Sequence, residues 1–285
     1  AQTIREKVRP LLGKVESRRT KGLAASGDLT FEIDEVAEQA LGDFVKGRGL
    51  PLAFYSEDKG LVELAPNPKY ILIVDPIDGT RSALAGLESC VVSVALADYK
   101  EGPRIRDVKH ACITELRANR VFLTAVGEGV KIIEDGRINP PRLSEKRRLE
   151  NMAWSVEFCG RPSALVCEIL TELMDLSSVR GGMFAFCSSC FSLTRILTGQ
   201  LDAYVDIGNR LLRDFPETEI YFRRSGAGNI LGLFPYDLAA ITLLISEAQA
   251  VMTDAYGNSL QDMLLLDNKI DNIRSCIAAL SLIHI

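Results

Sequence analysis

Apolar residues at Ile4, Val8, Leu11, Leu12 and Val15, and again at Val36, Ala40, Leu41 and Phe44, recur at the three- and four-residue spacing of an amphipathic helix. The chain is therefore expected to open with two such helices. Between them AASGDLTFEIDE breaks the pattern at Gly27, Asp28 and Thr30, which places Asp34 near the N-terminus of the second helix. The period then shortens: PLAFYSED, KYILIVD, SCVVSVALADY, ACITEL and NRVFLTAVGEGV are short β-rich runs bounded by Gly, Pro or acids. This first half reads as a helix pair packed on a sheet. The polar stretch EDGRINPPRLSEKRRLEN, with two adjacent prolines, is the candidate linker and sets a boundary near residue 148. Beyond it MAWSVEF, LVCEILTELMDL, SCFSLTRILTG, LDAYVDI, YDLAAITLLISEA, AVMTD and SCIAALSL alternate strand and helix patterns, the rhythm of an α/β layer. Residues 1–148 are expected to form an N-terminal α+β subdomain with most of the chemically interesting acids, and residues 149–285 a C-terminal α/β subdomain.

Composition narrows the class. At 285 residues, 25% charged and 47% hydrophobic, the chain has the make-up of a soluble globular protein. A net charge of -5 offers no basic footprint for nucleic acid, and no apolar run approaches the roughly 20 residues needed to span a bilayer. Seven scattered cysteines do not make a disulfide framework, so a reduced, cytoplasmic protein is expected. Cys187 and Cys190 form one CxxC pair, but with only His110 and His284 as histidines a four-ligand zinc site is poorly supplied.

The chemistry concentrates in VDPIDGT, residues 74–80. A strand ending in Asp75, a turn through Pro76 and Ile77, and then Asp78, Gly79 and Thr80 would set two carboxylates beside free backbone N–H groups. Taken alone, Asp78 could equally be a helix cap and Asp75 a solvated strand end. Aspartyl-phosphate chemistry would want its two acids two residues apart, whereas these are three apart. Metal-assisted hydrolysis of a phosphate ester suits them better, because cations must stand between carboxylates and a phosphate.

In this stretch, and in GDLTFEIDEVAE, YSED, SVAL, GEGV, TGQLDAYVD, YDLAAITLLISEA and TDAYG in order along nearly the whole chain, the sequence resembles the inositol monophosphatase and fructose-1,6-bisphosphatase family, lithium-sensitive magnesium phosphatases. The resemblance implies that family's sugar-phosphatase fold, a layered αβαβα sandwich. It also implies a phosphomonoesterase that hydrolyses a small phosphorylated substrate, inositol monophosphate, fructose 1,6-bisphosphate or both, with a metal-activated water. A nucleotide 3'-phosphatase of the same family is the alternative within the class, and a metal-dependent binding protein without turnover the alternative outside it.

Residue by residue, it implies that Glu57, Asp75 and the Ile77 carbonyl hold one Mg2+, that Asp75, Asp78 and Asp237 hold a second, and that a third again uses Glu57, giving it a catalytic part. Gly79 and Thr80 would bind phosphate, and Asp34 with the Thr80 hydroxyl would orient and deprotonate the attacking water. Such all-oxygen ligands select Mg2+, with Mn2+ as a substitute. Asp206, Ser188 and Ser189 fall where the family meets the substrate's alcohol, and homodimers are common in the family. Here Cys187, Ser188, Ser189 and Cys190 depart from the family's pattern of small residues, with Phe184 in place of an arginine. The stretch 207–236 is longer than in compact members and carries Arg210, Arg213, Arg223 and Arg224, which are expected either to reach substrate or to lie on the surface.

Overall fold

In a computed structural model, which describes residues 1–24 and 27–280, the first helix stops sooner than its apolar spacing suggests. Helix α1 (Gln2–Val8) passes into a 3₁₀ turn at Arg9–Leu11, where Pro10 can neither donate an N–H nor continue an α-helix. Strand β1 (Thr20–Leu23), just ahead of the stretch that reads only as a break, pairs antiparallel with β2 (Leu29–Phe31) inside it. Helix α2 (Glu32–Arg48) follows and ends on Gly49, whose left-handed φ of 59° suits a glycine stop.

Next come β3 (Leu52–Ser56), β4 (Gly60–Glu63), β5 (Tyr70–Asp78), the short helix α3 (Thr80–Ala85), β6 (Val91–Asp98), β7 (Val108–Glu115), β8 (Arg120–Ala125), β9 (Val130–Glu134) and β10 (Arg137–Asn139). They build an eight-stranded sheet in the order β10-β9-β8-β7-β6-β5-β3-β4. Its pairs are antiparallel except β3 with β5.

The second half supplies β11 (Ala153–Val156), α4 (Ser163–Ser177), β12 (Gly182–Phe184), α5 (Ser189–Leu197), β13 (Ala203–Asp206), α6 (Gly208–Asp214), α7 (Glu219–Ser225), α8 (Pro235–Glu247), β14 (Val251–Thr253) and β15 (Cys276–Ala279). The five strands are ordered β12-β11-β13-β15-β14, parallel at β11 and antiparallel around β15. Ala25 and Ser26 of the expected helix break, Ser281 and Leu282 of the last expected segment, and His284 lie outside the described residues.

Strand alternation sorts the apolar residues into layers. Leu52, Phe54 and Val74 face Ile4, Ile33 and Leu41 of α1 and α2, whereas Ala53, Tyr55, Ile71 and Ile73 face the opposite way, toward α5 and α8. Across that middle layer Tyr204 and Ala278 of the second sheet close the same core, and Ala203 and Val205 turn outward onto α4. The result is the αβαβα sandwich: α1 and α2, the large sheet, α5 and α8, the small sheet, α4. Buried Leu238, Ala239, Ala240, Ile241, Leu244 and Ile245 make α8 apolar nearly all round, as a helix between two sheets must be. Its far end is fixed by Glu247, whose two oxygens accept the Gly127 and Gly129 N–H groups at 2.8 and 2.9 Å. That contact accounts for GEGV between β8 and β9, and it holds α8 in place to present its first turn.

Candidate active site

In a regular strand Asp75 and Asp78 would face opposite sides of the sheet. The pairing of β5 with β6 slips between them: Asp75 stands opposite Ser93 and Asp78 opposite Val91, so Pro76 and Ile77 together face one residue. This bulge reverses the alternation and brings both carboxylates to one side. Pro76, which has no N–H to donate, fits such an interruption, and Asp75 Oδ1 braces it by accepting the Ile77 N–H at 2.9 Å. Gly79 then turns the chain at φ 91°, and a methyl group there would stand 2.4 Å from the Ser89 carbonyl oxygen. Only glycine fits, by both strain and space.

Three further elements converge on this corner. Asp34, in the first turn of α2, accepts the Phe31 N–H at 2.8 Å with one oxygen and lies 3.2 Å from the Thr80 hydroxyl with the other. That hydroxyl is also 3.0 Å from the Ile77 carbonyl. Asp237, in the first turn of α8, accepts the Phe234 N–H at 2.7 Å. Asp78 accepts the Ser188 hydroxyl at 2.7 Å and the Cys190 N–H at 2.6 Å from the start of α5. The Cys190 thiol donates to the Asp237 carbonyl at 3.0 Å, so this half of the CxxC pair serves the junction of α5 and α8. Asp75, Asp78 and Asp237 each offer a carboxylate oxygen within 4.8 Å of the others, and Glu57, just beyond β3, lines the same cavity.

The electrostatics are those of an acid cluster short of positive charge. No Lys or Arg pairs with Glu57, Asp75, Asp78 or Asp237 among the described residues. Burial, then the neighbouring carboxylates, pushes Glu57 and Asp75 well above the usual carboxylate range, and Asp237 follows for the same reasons. Burial also raises Asp78, against the opposing hydrogen bonds from Ser188 and Cys190. Asp34 is pushed up to about 7, chiefly by burial.

Residues 1–279 match the model of the inositol monophosphatase family. The chain belongs to that family. It is 23% identical to a fructose-1,6-bisphosphatase/inositol-1-monophosphatase of Methanothermobacter thermautotrophicus, over 93% of this chain and 85% of that one. A protein of the same name from Thermococcus kodakarensis is 26% identical, over 94% and 86%. The solved structure of the Thermotoga maritima IMPase superposes with a TM-score of 0.68 at 19% identity, covering 99% of this chain and 89% of that one. Inositol monophosphatase family members are metal-dependent phosphatases that hydrolyse phosphate monoesters of small molecules, and this chain is such a hydrolase.

Not every residue expected from the sequence meets the cavity of this family member. Asp206 does not line it: the buried Arg161 takes both of its oxygens and the Gly208 N–H donates to one of them at 2.8 Å. The expected free acceptor for substrate hydroxyls is instead half of a buried ion pair, and Arg161 is the half that faces the cavity. Ser188 and Ser189 do line it; the Ser189 hydroxyl is buried without a partner. The four arginines of the insertion stay away. Arg210 pairs with Asp214 and stacks on Tyr256, Arg213 donates to the Asp271 carbonyl, Arg223 pairs with Glu219, and Arg224 lines no wall of the cavity. The insertion contributes Leu231, Gly232, Leu233 and Phe234 instead.

Sequence reasoning overlooked Arg81, Glu157 and Arg161. The signal for the last two was present in EFCGRP, an acid at a strand end with an arginine just past a glycine. Arg81 follows Thr80 directly and is held bidentately by Asp28, at 2.7 and 3.1 Å.

Proposed function

We propose that the chain is a magnesium-dependent phosphomonoesterase acting on inositol monophosphate, fructose 1,6-bisphosphate or both. The observation that carries this reading is the group of carboxylates with no ion-pair partner among the described residues, buried Asp75 and Asp78 with half-buried Asp237 and Glu57, gathered by a strand bulge beside the Asp34–Thr80 pair. Divalent cations fit it: every donor is a hard oxygen, the three aspartates lie close enough to share an ion, and their burial penalises the bare charges. Glu57, Asp75 and the Ile77 carbonyl would hold one ion, and Asp75, Asp78 and Asp237 another, with a third possible at Glu57. Two or three such ions, Mg2+ or Mn2+, would polarise the phosphoryl oxygen, acidify water and offset charge on the leaving alkoxide.

The chain's own groups do the rest. Gly79 and Thr80 present backbone N–H groups to the phosphate, at a turn that only glycine permits. The Thr80 hydroxyl, held between Asp34 and the Ile77 carbonyl, orients the attacking water. Asp34, raised to about 7, takes the proton as a base matched to neutral pH.

The reading extends to organisation. The large sheet ends at Asn139 and the small one begins at Ala153, which supports two subdomains, 1–148 and 149–285. All seven cysteines are unpaired, in keeping with a cytoplasmic enzyme, and no helix among the described residues is long and apolar enough to cross a membrane. Exposed Ile169, Leu176 and Val179, on and just past α4, supply apolar surface for a homodimer.

Inorganic phosphate release from inositol 1-phosphate, fructose 1,6-bisphosphate and a nucleoside 3'-phosphate, with and without magnesium, tests the proposal against an Asp78→Asn control. Magnesium-dependent release that disappears in the variant is the expected result. No release from any ester while magnesium still binds would overturn it.

A further inference from the structure

The acid-lined cavity opens onto a second cavity of about 380 Å³, and the two share Asp28, Arg81, Cys159, Cys187 and Leu231. The outer cavity belongs to this chain's insertion. Its tip, residues 225–231, forms one wall, opposite Phe158 and Gly160 after β11 and Leu29 of β2. The tip is built in tightly. Asn229 donates its amide to the Gly27 carbonyl at 2.8 Å, and a methyl group on Gly160 would fall 2.5 Å from Leu231.

The chemistry of the lining restricts what it can hold. Leu23, Leu29, Phe158 and Leu231 contribute carbon surface. The charged groups Arg81 and Asp28 are matched to each other bidentately and one Asn229 amide N–H is spent on Gly27, so Ser225, the rest of the Asn229 amide and the two thiols are the uncharged polar side-chain groups of the lining. A second polyol placed here would leave most of its hydroxyls facing hydrocarbon without hydrogen-bond partners, at a cost in binding. A flat ring with apolar faces would meet no such cost. A guanidinium gripped edge-on by a carboxylate also keeps the faces of its plane for stacking on a ring.

We infer that the outer cavity is a specificity subsite for the leaving alcohol, formed by the insertion tip with Leu29 and Phe158, and that it takes a flat, apolar-faced ring carried on a phosphorylated alcohol. The inference rests on the phosphatase reading of the inner cavity and extends its substrates beyond the polyol phosphates to esters whose alcohol carries such a ring. It assigns the 207–236 insertion to substrate choice through Asn229 and Leu231, and not through its arginines.

The test compares 2-naphthylmethyl phosphate with glycerol 2-phosphate, both alkyl esters, in the magnesium-supplemented full chain. Leu29→Asp puts charge on the exposed rim of the outer cavity, and Asn229→Ala unties the tip. Neither residue lines the acid cavity. Expected is a KM for the naphthylmethyl ester at least tenfold below that for the glycerol ester, rising tenfold or more in Leu29→Asp and measurably in Asn229→Ala, while glycerol 2-phosphate stays within twofold. An unchanged naphthylmethyl KM in both variants, or equal changes for both esters with unchanged melting temperatures, overturns the subsite and leaves the phosphatase standing. If neither ester is hydrolysed, phosphate release from inositol 1-phosphate and fructose 1,6-bisphosphate decides the phosphatase, and equilibrium binding of the naphthylmethyl ester decides the subsite: binding that Leu29→Asp weakens tenfold keeps it, and no binding removes it.

Discussion

At the scale of single residues, Asp34 and Gly79 do the most for the least mass. Asp34 is an ordinary first-turn helix acid until its second oxygen meets the Thr80 hydroxyl, and burial brings its proton affinity to about 7. As the proposed base, it must be unprotonated. The pH profile of kcat/KM should therefore fall on the acid side of about pH 7, and Asp34→Asn should lower kcat by roughly 10²–10⁴-fold and abolish that inflection. An unshifted acid limb in the variant would assign the proton to another group. Gly79→Ala meets both the left-handed φ and the Ser89 carbonyl, so loss of thermal stability together with activity is expected, seen as a lower melting temperature and reduced phosphate release. At this scale much was legible in the sequence, because VDPIDGT names its own acids. What it does not name are partners: nothing in the local pattern says that Arg161 consumes Asp206 or that Asp28 holds Arg81, since each pair joins residues distant in sequence.

At the scale of elements, the site is a meeting of helix starts with a broken strand. The beginnings of α2, α5 and α8 arrive at the β5 bulge, and each brings a polar group already tied to its own first turn. Ser188 caps α5 and donates to Asp78 with the same hydroxyl, so Ser188→Ala should disturb an acid that it never replaces. The magnesium concentration giving half-maximal activity should rise roughly tenfold in that variant while kcat at saturating magnesium changes little, a titration that a purely packing role for Ser188 would leave flat. Helices α2 and α4 are readable from their spacing, and α8, β5 and β6 from their length as apolar runs between breaks. Strands β4, β9 and β10 are short and α1 is cut at Pro10, and their existence depends on neighbours in the sheet or on backbone chemistry more than on apolar rhythm. The insertion draws attention to its arginines, yet it folds as two short helices, and the apolar segment that follows them supplies the cavity wall.

At the scale of the whole molecule, four clustered acids raised above their free range, Asp75 and Asp78 buried and Glu57 and Asp237 half-buried, make stability depend on pH and on cations together. A carboxyl whose folded pKa exceeds its unfolded value, about 4, binds its proton more tightly when folded, so stability is full below that value and is lost as pH rises through the folded pKa. In the presence of a chelator the melting temperature should be higher at pH 5.5 than at pH 8. Magnesium at a hundred times the dissociation constant it has at pH 8 should return about 2.7 kcal/mol per site there, and the same concentration should return less at pH 5.5. Equal melting temperatures at both pH values without metal would show that the acids are not held as the cavity suggests.

The middle layer also orders events during synthesis. Asp34, Glu57, Asp75 and Asp78 all emerge early, but Asp237 lies on a helix that needs a sheet on each side of it, and the small sheet waits for β15, last in sequence of its strands, to slot between β13 and β14. A growing chain thus exposes most of its acids long before it can assemble the fifth among them, and the centre is completed only after β15 has left the ribosome.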